Sequence, residues 1–171
     1  MNMYQSKQGF TVSELVLTLG LTVLIIGLST FLINPIERVK ESRDLRRQQD
    51  LQSVRQALDL ALVDGQITLP GKTYEIVKGN SKTDNNWVDG TGWVSFTVPA
   101  GMQGLSKYLR ELPIDPLGED ASCGYEWATD GVKYELRTCF ETERFKSLYS
   151  VDPGDDSDYW EIGNDPGLDL L

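Results

Sequence analysis

The polarity of the chain changes sharply along its length, and the first change marks a long apolar helix. Leu15–Ile33 is a run of 19 residues without a charged side chain. At about 1.5 Å per residue, such a helix spans close to the ~30 Å hydrocarbon core of a bilayer. The alternatives are a buried core helix, which usually keeps a polar face, and a cleavable secretory signal, whose apolar region is normally about 7–15 residues. The pattern favours a retained membrane helix.

The apolar run is followed by a second, mostly polar helical pattern. Asn34-Pro35 should interrupt the helix, because proline lacks a backbone donor and clashes with the preceding turn. The helix then resumes to about Asp64, and Gly65 is a suitable stop. Its apolar positions form one stripe at helical spacing, Leu51, Val54, Leu58 and Ala61. The other faces carry mixed charge and should be solvated. A helical stretch over Phe10–Asp64 is longer than a small domain needs for itself, so it predicts packing against other copies or another partner.

From Gln66 onward the pattern changes to short alternating segments and turns. Strands are predicted at Thr73–Val77 and Trp93–Val98, and a hairpin is predicted with strands Tyr125–Thr129 and Lys133–Glu141 around Asp130-Gly131. A short helix over Leu105–Leu112 and an exposed polar loop over Lys78–Gly92 complete the pattern. All four tryptophans lie here, which predicts a core of its own: Trp87, Trp93, Trp127 and Trp160.

These elements predict an α+β fold in which a long N-terminal helix packs on a small antiparallel-sheet head. The helix spans the membrane in its first half and is interrupted at Pro35. The expected domains are a polar leader (1–9), a transmembrane and assembly helix (10–33), an amphipathic continuation (34–65), and a globular α+β head with an acidic C-terminal tail (66–171).

The composition excludes several classes of function. The chain has 16 Lys and Arg, 26 Asp and Glu, a net charge of −10 and no histidine. Ser/His/Asp and Cys/His catalytic sets and histidine-ligated metal sites are therefore excluded. A pI near 4.4 argues against direct nucleic-acid binding, which depends on basic surface. We predict that the protein is not an enzyme and needs no cofactor.

The most informative position is Glu14, a lone carboxylate at the edge of the apolar helix. An unpaired carboxylate in lipid costs about 2.5 kcal/mol or more, so it normally has a partner or a function. If the chain were cut after Gly9, the new amine of Phe10 would be a positive charge within reach of Glu14 on a neighbouring subunit. Such a pair would set the register of packed helices. The simpler interpretation is a carboxylate favoured by the helix dipole.

Gly9-Phe10-Thr11-Val12-Ser13-Glu14, followed by the apolar run, resembles the class III signal of type IV prepilins and type II secretion pseudopilins. The resemblance implies that a prepilin peptidase cuts between Gly9 and Phe10 and methylates the Phe10 amine. It implies that Phe10 and Glu14 pair between subunits during assembly. Gly20, Gly27 and Pro35 are the helix-weakening positions of this sequence.

The family resemblance predicts a pilin-like structural subunit of a type IV pilus, serving adhesion, motility or DNA uptake. The precursor would be a single-pass protein of the cytoplasmic (inner) membrane with an extracytoplasmic head, and the mature protein would lie in a cell-surface filament. Its partners would be other pilin subunits, including minor pilins, the prepilin peptidase and a membrane assembly platform. A type II secretion pseudopilin is the alternative within this class. A single-pass anchored binding domain that never polymerises is the alternative outside it.

The distribution of basic residues favours the opposite orientation. Lys7 is the only basic residue before the apolar run, whereas five closely spaced ones follow it: Arg38, Lys40, Arg43, Arg46 and Arg47. A simple positive-inside count would place the head in the cytoplasm. Acidic residues are interleaved with these five, which is typical of a mixed-charge helix face.

Two further features concern the head. Cys123 and Cys139 are the only cysteines, and in an exported head they are candidates for a disulfide, as in many type IV pilins; two separate buried thiols are the alternative. The acidic tail offers Asp155, Asp156 and Asp158 as weak Ca²⁺ candidates, because Ca²⁺ takes six to eight oxygen ligands. These three lack the spacing of an EF-hand, and a solvated acidic surface is the favoured interpretation.

Overall fold

The computed structural model describes residues 9–71, 75–122 and 124–171. These residues belong to two compact units, Met1–Val39 and Lys40–Leu171. As predicted, the fold is α+β, with an apolar N-terminal helix and a small antiparallel sheet.

The apolar helix α1 comprises Val12–Ile33, with Thr11 as its N-cap. It begins two residues later than predicted, because the Thr11 side chain caps the first turn instead of extending the helix. It continues without a break through Gly20 and Gly27. Asn34 ends it in the left-handed conformation, with φ of 44°. The predicted interruption at Asn34-Pro35 is therefore confirmed.

Helix α2 comprises Pro35–Val63, so proline occupies its first turn, where no backbone donor is required. The predicted apolar stripe is buried throughout, together with Ala57. Gly65 adopts φ of 63° and its N–H bonds to Leu62, while the Gln66 N–H reaches back to the Ala61 carbonyl at 2.8 Å. This left-handed cap explains why the helix stops where the sequence predicted.

The sheet has four antiparallel strands in the order β1-β2-β3-β4: Val77–Asn80, Glu126–Thr129, Tyr134–Thr138 and Trp160–Gly163. Strands β2 and β3 form the predicted hairpin. Thr129 pairs with Tyr134, so the connection is four residues rather than the two that Asp130-Gly131 suggested. The Asp130 carboxylate closes this loop by accepting the N–H groups of Val132 and Lys133, each at 2.8 Å.

Several predicted elements of the head are wrong. Trp93–Val98 is not a strand but an irregular segment with isolated bridges at Thr91–Ser95 and Thr68–Thr97. Trp93 and Val94 are both fully buried, so the side chains do not alternate between core and solvent. The helix predicted over Leu105–Leu112 is a single 3₁₀ turn, Gly104–Lys107.

The remaining differences concern the strands at the two edges of the sheet. β1 includes Lys78–Asn80, which were expected to lie in a loop, because these residues pair with β2. Part of the predicted strand Thr73–Val77 lies outside the described residues. β4 was not predicted, and neither were the short helical segments Gly118–Asp120, Glu143–Lys146 (α3) and Ser147–Ser150.

The core lies between α2 and one face of the sheet. Trp127 and Tyr134 stack on this face with ring centroids 5.6 Å apart, and both are fully buried. Two tyrosine hydroxyls join the sheet to polar groups of α2: Tyr125 donates to Asp50 at 2.8 Å and Tyr134 donates to Asp59 at 2.6 Å. The opposite face, here called the outer face, is covered by the chain around β4, where Leu168 and Leu170 are buried.

Candidate functional site

The prepilin-like motif lies at the start of α1, where Thr11 and Glu14 form a reciprocal capping box. The Glu14 N–H donates to Thr11 Oγ1 at 3.3 Å. The Glu14 carboxylate accepts the Thr11 N–H at 2.9 Å and the Thr11 hydroxyl at 2.8 Å. Gly9 and Phe10 precede this cap, and all four residues line one shallow concavity of about 460 Å³. Glu14 thus stabilises the start of its own helix, and its carboxylate binds the residue next to Phe10.

The surface of α1 is apolar on every side. Val12–Ser29 is long and apolar enough to cross a membrane, and none of this stretch is buried within the chain. Its hydroxyl groups bond to carbonyls of their own helix: Thr18 to Glu14 at 2.9 Å, Thr22 to Thr18 at 2.7 Å and Ser29 to Ile25 at 2.7 Å. The hydroxyl groups of Thr18, Thr22 and Ser29 therefore have partners within the helix and do not require water.

A buried ion-pair cluster, not predicted from the sequence, connects α2 to two loops of the head. We call it the Arg47 cluster: Arg43, Asp44, Arg47, Asp115 and Glu141. Arg47 holds Asp115 through Nε at 2.6 Å and Nη2 at 3.0 Å, and its Nη1 reaches Asp44 and Glu141, both at 2.8 Å. Arg43 binds Glu141 through Nε at 2.7 Å and Nη2 at 2.5 Å.

Arg47 and the three carboxylates of the Arg47 cluster each have more than one partner. The Asp44 carboxylate also accepts the N–H groups of Glu141 and Thr142 and the Thr142 hydroxyl, at 2.8–3.1 Å. Arg47 and Asp44 are at most 1% exposed. The bidentate hydrogen bond from Arg43 lowers the pKa of Glu141 to about 2, so this carboxylate stays ionised. The cluster fixes α2 to the loops at Asp115 and Glu141.

The Arg47 cluster corrects the expectation that the polar faces of α2 are solvated. The signal was present in the sequence, because Asp44 and Arg47 continue the spacing of the apolar stripe that starts at Leu51. Their charge concealed the continuation, since charged residues are seldom fully buried unless they are paired.

A second unpredicted feature lies on the outer face of the sheet, where Glu135 and Glu161 are completely buried. Glu135 Oε2 accepts the N–H groups of Leu170 and Leu171, and Glu161 Oε2 accepts the Asp156 N–H at 3.1 Å. Oε1 of each glutamate has no hydrogen-bond partner. Burial, reinforced by the neighbouring Glu135, raises the pKa of Glu161 to about 8. The Glu161 carboxyl group therefore keeps its proton to a higher pH than an exposed glutamate does.

The acidic tail does not bring the three calcium candidates together as a metal site. Asp156 accepts the Asp158 N–H at 2.9 Å and faces Arg137 at 3.4 Å. Asp155 and Asp156 line an open concavity with Asp169. Within the described ranges, no group of three or more His, Cys, Asp or Glu side chains is arranged to hold a metal ion. The tail aspartates therefore carry no metal proposal.

The predicted disulfide involves Cys123, which lies outside the described residues. Cys139 directly follows β3, and its sulfur lies 3.7 Å from the Ser122 hydroxyl. The pairing of the two cysteines stays a prediction.

Comparison with known proteins finds no match: neither a family model, nor a curated protein, nor a solved structure matches this chain.

Proposed function

We propose that this protein is a structural subunit of a type IV pilus-like filament, made as a membrane-anchored precursor and polymerised through its N-terminal helix. The observation that carries the proposal is the junction at Gly9-Phe10, four residues before a lone carboxylate, Glu14, at the start of an uninterrupted apolar helix. Motif, position and helix length agree with the prepilin resemblance.

The exposed surface of α1 supports assembly because its apolar side chains must be shielded from water by lipid or by other helices. Leu17, Leu19 and Val23 are 65–73% exposed in the single chain, and the remaining apolar side chains of Val12–Ser29 are similarly uncovered. Lipid would cover this surface in the precursor, and neighbouring helices would cover it in a filament. Transfer of the helix from lipid to filament costs little hydrophobic free energy, because the apolar residues are kept from water in both environments.

The capping box suggests how processing is coupled to assembly. In the precursor, Thr11 already satisfies the Glu14 carboxylate. A cut after Gly9 would place a positive amine on Phe10, next to Thr11. A carboxylate in apolar surroundings then gains most from an amine of a neighbouring subunit when the two helices are staggered to bring the charges together. Glu14 would thus cap its own helix first and set the register between helices afterwards.

The ion pairs of α2 weaken the positive-inside argument against an extracytoplasmic head. Arg43 and Arg47 belong to the Arg47 cluster, and Arg46 lies 3.7 Å from Asp50. These three basic residues that follow the apolar run are thus paired with carboxylates.

The decisive experiment is intact-mass and N-terminal analysis of the full chain from membranes that contain an active prepilin peptidase. We expect a chain that begins at Phe10 and is heavier by one methyl group. Gly9→Val should abolish this product, whereas Gly20→Val should not, because a side chain at Gly20 meets no neighbouring atom. A wild-type chain that still begins at Met1 would contradict the proposal and favour the permanently anchored binding domain.

A further inference from the structure

We infer that the head binds a neutral saccharide in a groove around Trp87, with a sugar ring stacked on the indole. This inference does not rest on filament assembly, because every residue involved belongs to the head. Trp87 is 61% exposed, whereas Trp93, Trp127 and Trp160 are at most 6% exposed. Trp87 also lines a groove, so its apolar ring is accessible to a ligand that enters there.

The backbone of the loop around Trp87 is held by hydrogen bonds, so the loop has its shape before any ligand arrives. The Trp87 N–H donates to Asn85 Oδ1 at 2.9 Å, and the Asn85 carbonyl accepts the Trp93 N–H at 2.9 Å. The Asn86 carbonyl accepts the Leu112 N–H, also at 2.9 Å. A Cβ at Gly92 would lie 2.2 Å from the Trp87 carbonyl oxygen, so only glycine permits this close approach. Preorganisation of this kind lowers the entropic cost of binding.

The groove has a volume of about 530 Å³, which suits one or two sugar rings. Its polar lining includes Asn86, Gln103, Arg110 and Glu111. In the described part of the chain, none of these four side chains has a hydrogen-bond partner, and the indole N–H of Trp87 has none either. Their hydrogen-bonding capacity is therefore available to a ligand.

The chemistry of these groups selects the ligand class. The two amides both donate and accept, the Arg110 guanidinium donates and the Glu111 carboxylate accepts, which together match hydroxyl groups that do both. The apolar C–H face of a pyranose fits the indole face. Asp89 also lines the groove, but its Oδ1 is occupied by the Thr91 N–H and hydroxyl. With two carboxylates and one guanidinium, the groove disfavours anionic sugars and phosphates.

The test uses the full chain in a zwitterionic detergent without a sugar headgroup. The probes are soluble neutral oligosaccharides of glucose, galactose and N-acetylglucosamine, with a sialylated oligosaccharide as the anionic comparison. Calorimetry gives the affinity, and tryptophan fluorescence reports Trp87, the exposed indole. We expect at least one neutral saccharide to bind. Trp87→Ala should lower its affinity about tenfold or more, which corresponds to a loss of about 1.4 kcal/mol of binding free energy.

Two further variants make the test specific. Glu111→Ala should lower the affinity for the same saccharide. Val132→Ala, an exposed substitution in the β2–β3 loop, should leave the affinity unchanged. Thermal unfolding of each variant shows whether the head is intact. The inference is overturned if no neutral saccharide binds at millimolar concentration, or if Trp87→Ala binds as tightly as the wild type. Loss of filaments in Trp87→Ala without saccharide binding would overturn it too and assign the groove to subunit contacts.

Discussion

Glu135 and Glu161 are diagonal neighbours on the outer face of the sheet. Glu135 pairs across the strands with Gly163, and Glu161 pairs with Arg137, so both carboxyl groups point away from α2. The charged groups near them include Asp152, Asp155 and Asp156 from the preceding loop and Arg137, which is shared with Glu126. Acidic groups outnumber basic ones here, and their charge adds to the effect of burial in raising the pKa of Glu161.

We predict that the head loses stability as pH rises from about 4.5 to about 8. The folded pKa of Glu161, about 8, lies above its ordinary value of 4.5, so folding takes up a proton in this window. Glu161 contributes its full stabilisation of the folded head below its ordinary pKa of 4.5 and loses it as pH rises through the folded pKa of about 8. The free energy of unfolding should fall by an amount on the order of a few kcal/mol over this window. Denaturation of the full chain at several pH values measures this slope. Glu161→Gln should flatten it, and Glu143→Gln, at a side chain 90% exposed, should not. Equal slopes in the wild type and Glu161→Gln would contradict the raised pKa of Glu161.

We predict that Arg47→Met destabilises the head by about 3–5 kcal/mol, because it leaves Asp44 and Asp115 charged and buried without their main partner. The matched control is Arg55→Met, whose partner Asp59 lies 3.8 Å away with both side chains 46% exposed. That change should cost less than about 1 kcal/mol. Urea unfolding compares the two. Similar losses for both variants would show that the Arg47 cluster adds no more than a surface pair.

We predict that Glu14→Gln reduces filament formation although it preserves the helix cap. Glutamine can replace glutamate in a capping box but carries no charge to pair with an amine. Thr11→Val removes the cap and keeps the charge, so it should assemble better than Glu14→Gln. Filament yield by shearing and electron microscopy measures the difference, with membrane insertion as the control. Normal filaments from Glu14→Gln would exclude the register pair.

We predict that Cys123 and Cys139 form a disulfide in the exported protein. Intact mass before and after reduction should differ by two hydrogens, and alkylation without reductant should modify neither cysteine. Cys139→Ser and Cys123→Ser should each lower stability by about 3 kcal/mol, in line with the loop that the bond closes. Alkylation of both residues in the unreduced protein would establish two separate thiols instead.

The sequence predicted best where a single physical requirement dominates. The apolar run, the break at Pro35, the stripe from Leu51 to Ala61 and the β2–β3 hairpin follow from periodicity and turn chemistry, and the structure confirms them. Segment 93–98 was misassigned because β-branched and aromatic residues favour strands only where a partner strand is present. Its nearest partners supply isolated bridges alone.

The features missed in the head depend on contacts between distant parts of the chain. β4 is only four residues long and follows an acidic loop, and its pairing with β3 makes it a strand. The buried Glu161 and the partners of Arg47 could not be assigned from the sequence, since Asp115 and Glu141 lie 68 and 94 positions from Arg47. At the N-terminal motif, the spacing of Phe10 and Glu14 was read from the sequence, but the capping contact between Glu14 and Thr11 was not predicted.

The Arg47 cluster also determines how the head would bear mechanical load. Its hydrogen bonds join the part of α2 that lies before the apolar stripe to the loops at Asp115 and Glu141. Tension applied along α2 from its N-terminal end would therefore reach these directional bonds before it reaches the apolar contacts of Leu51–Ala61. Such bonds resist sliding, whereas apolar surfaces shear more easily, so the cluster would resist displacement of α2 from the head under such a load.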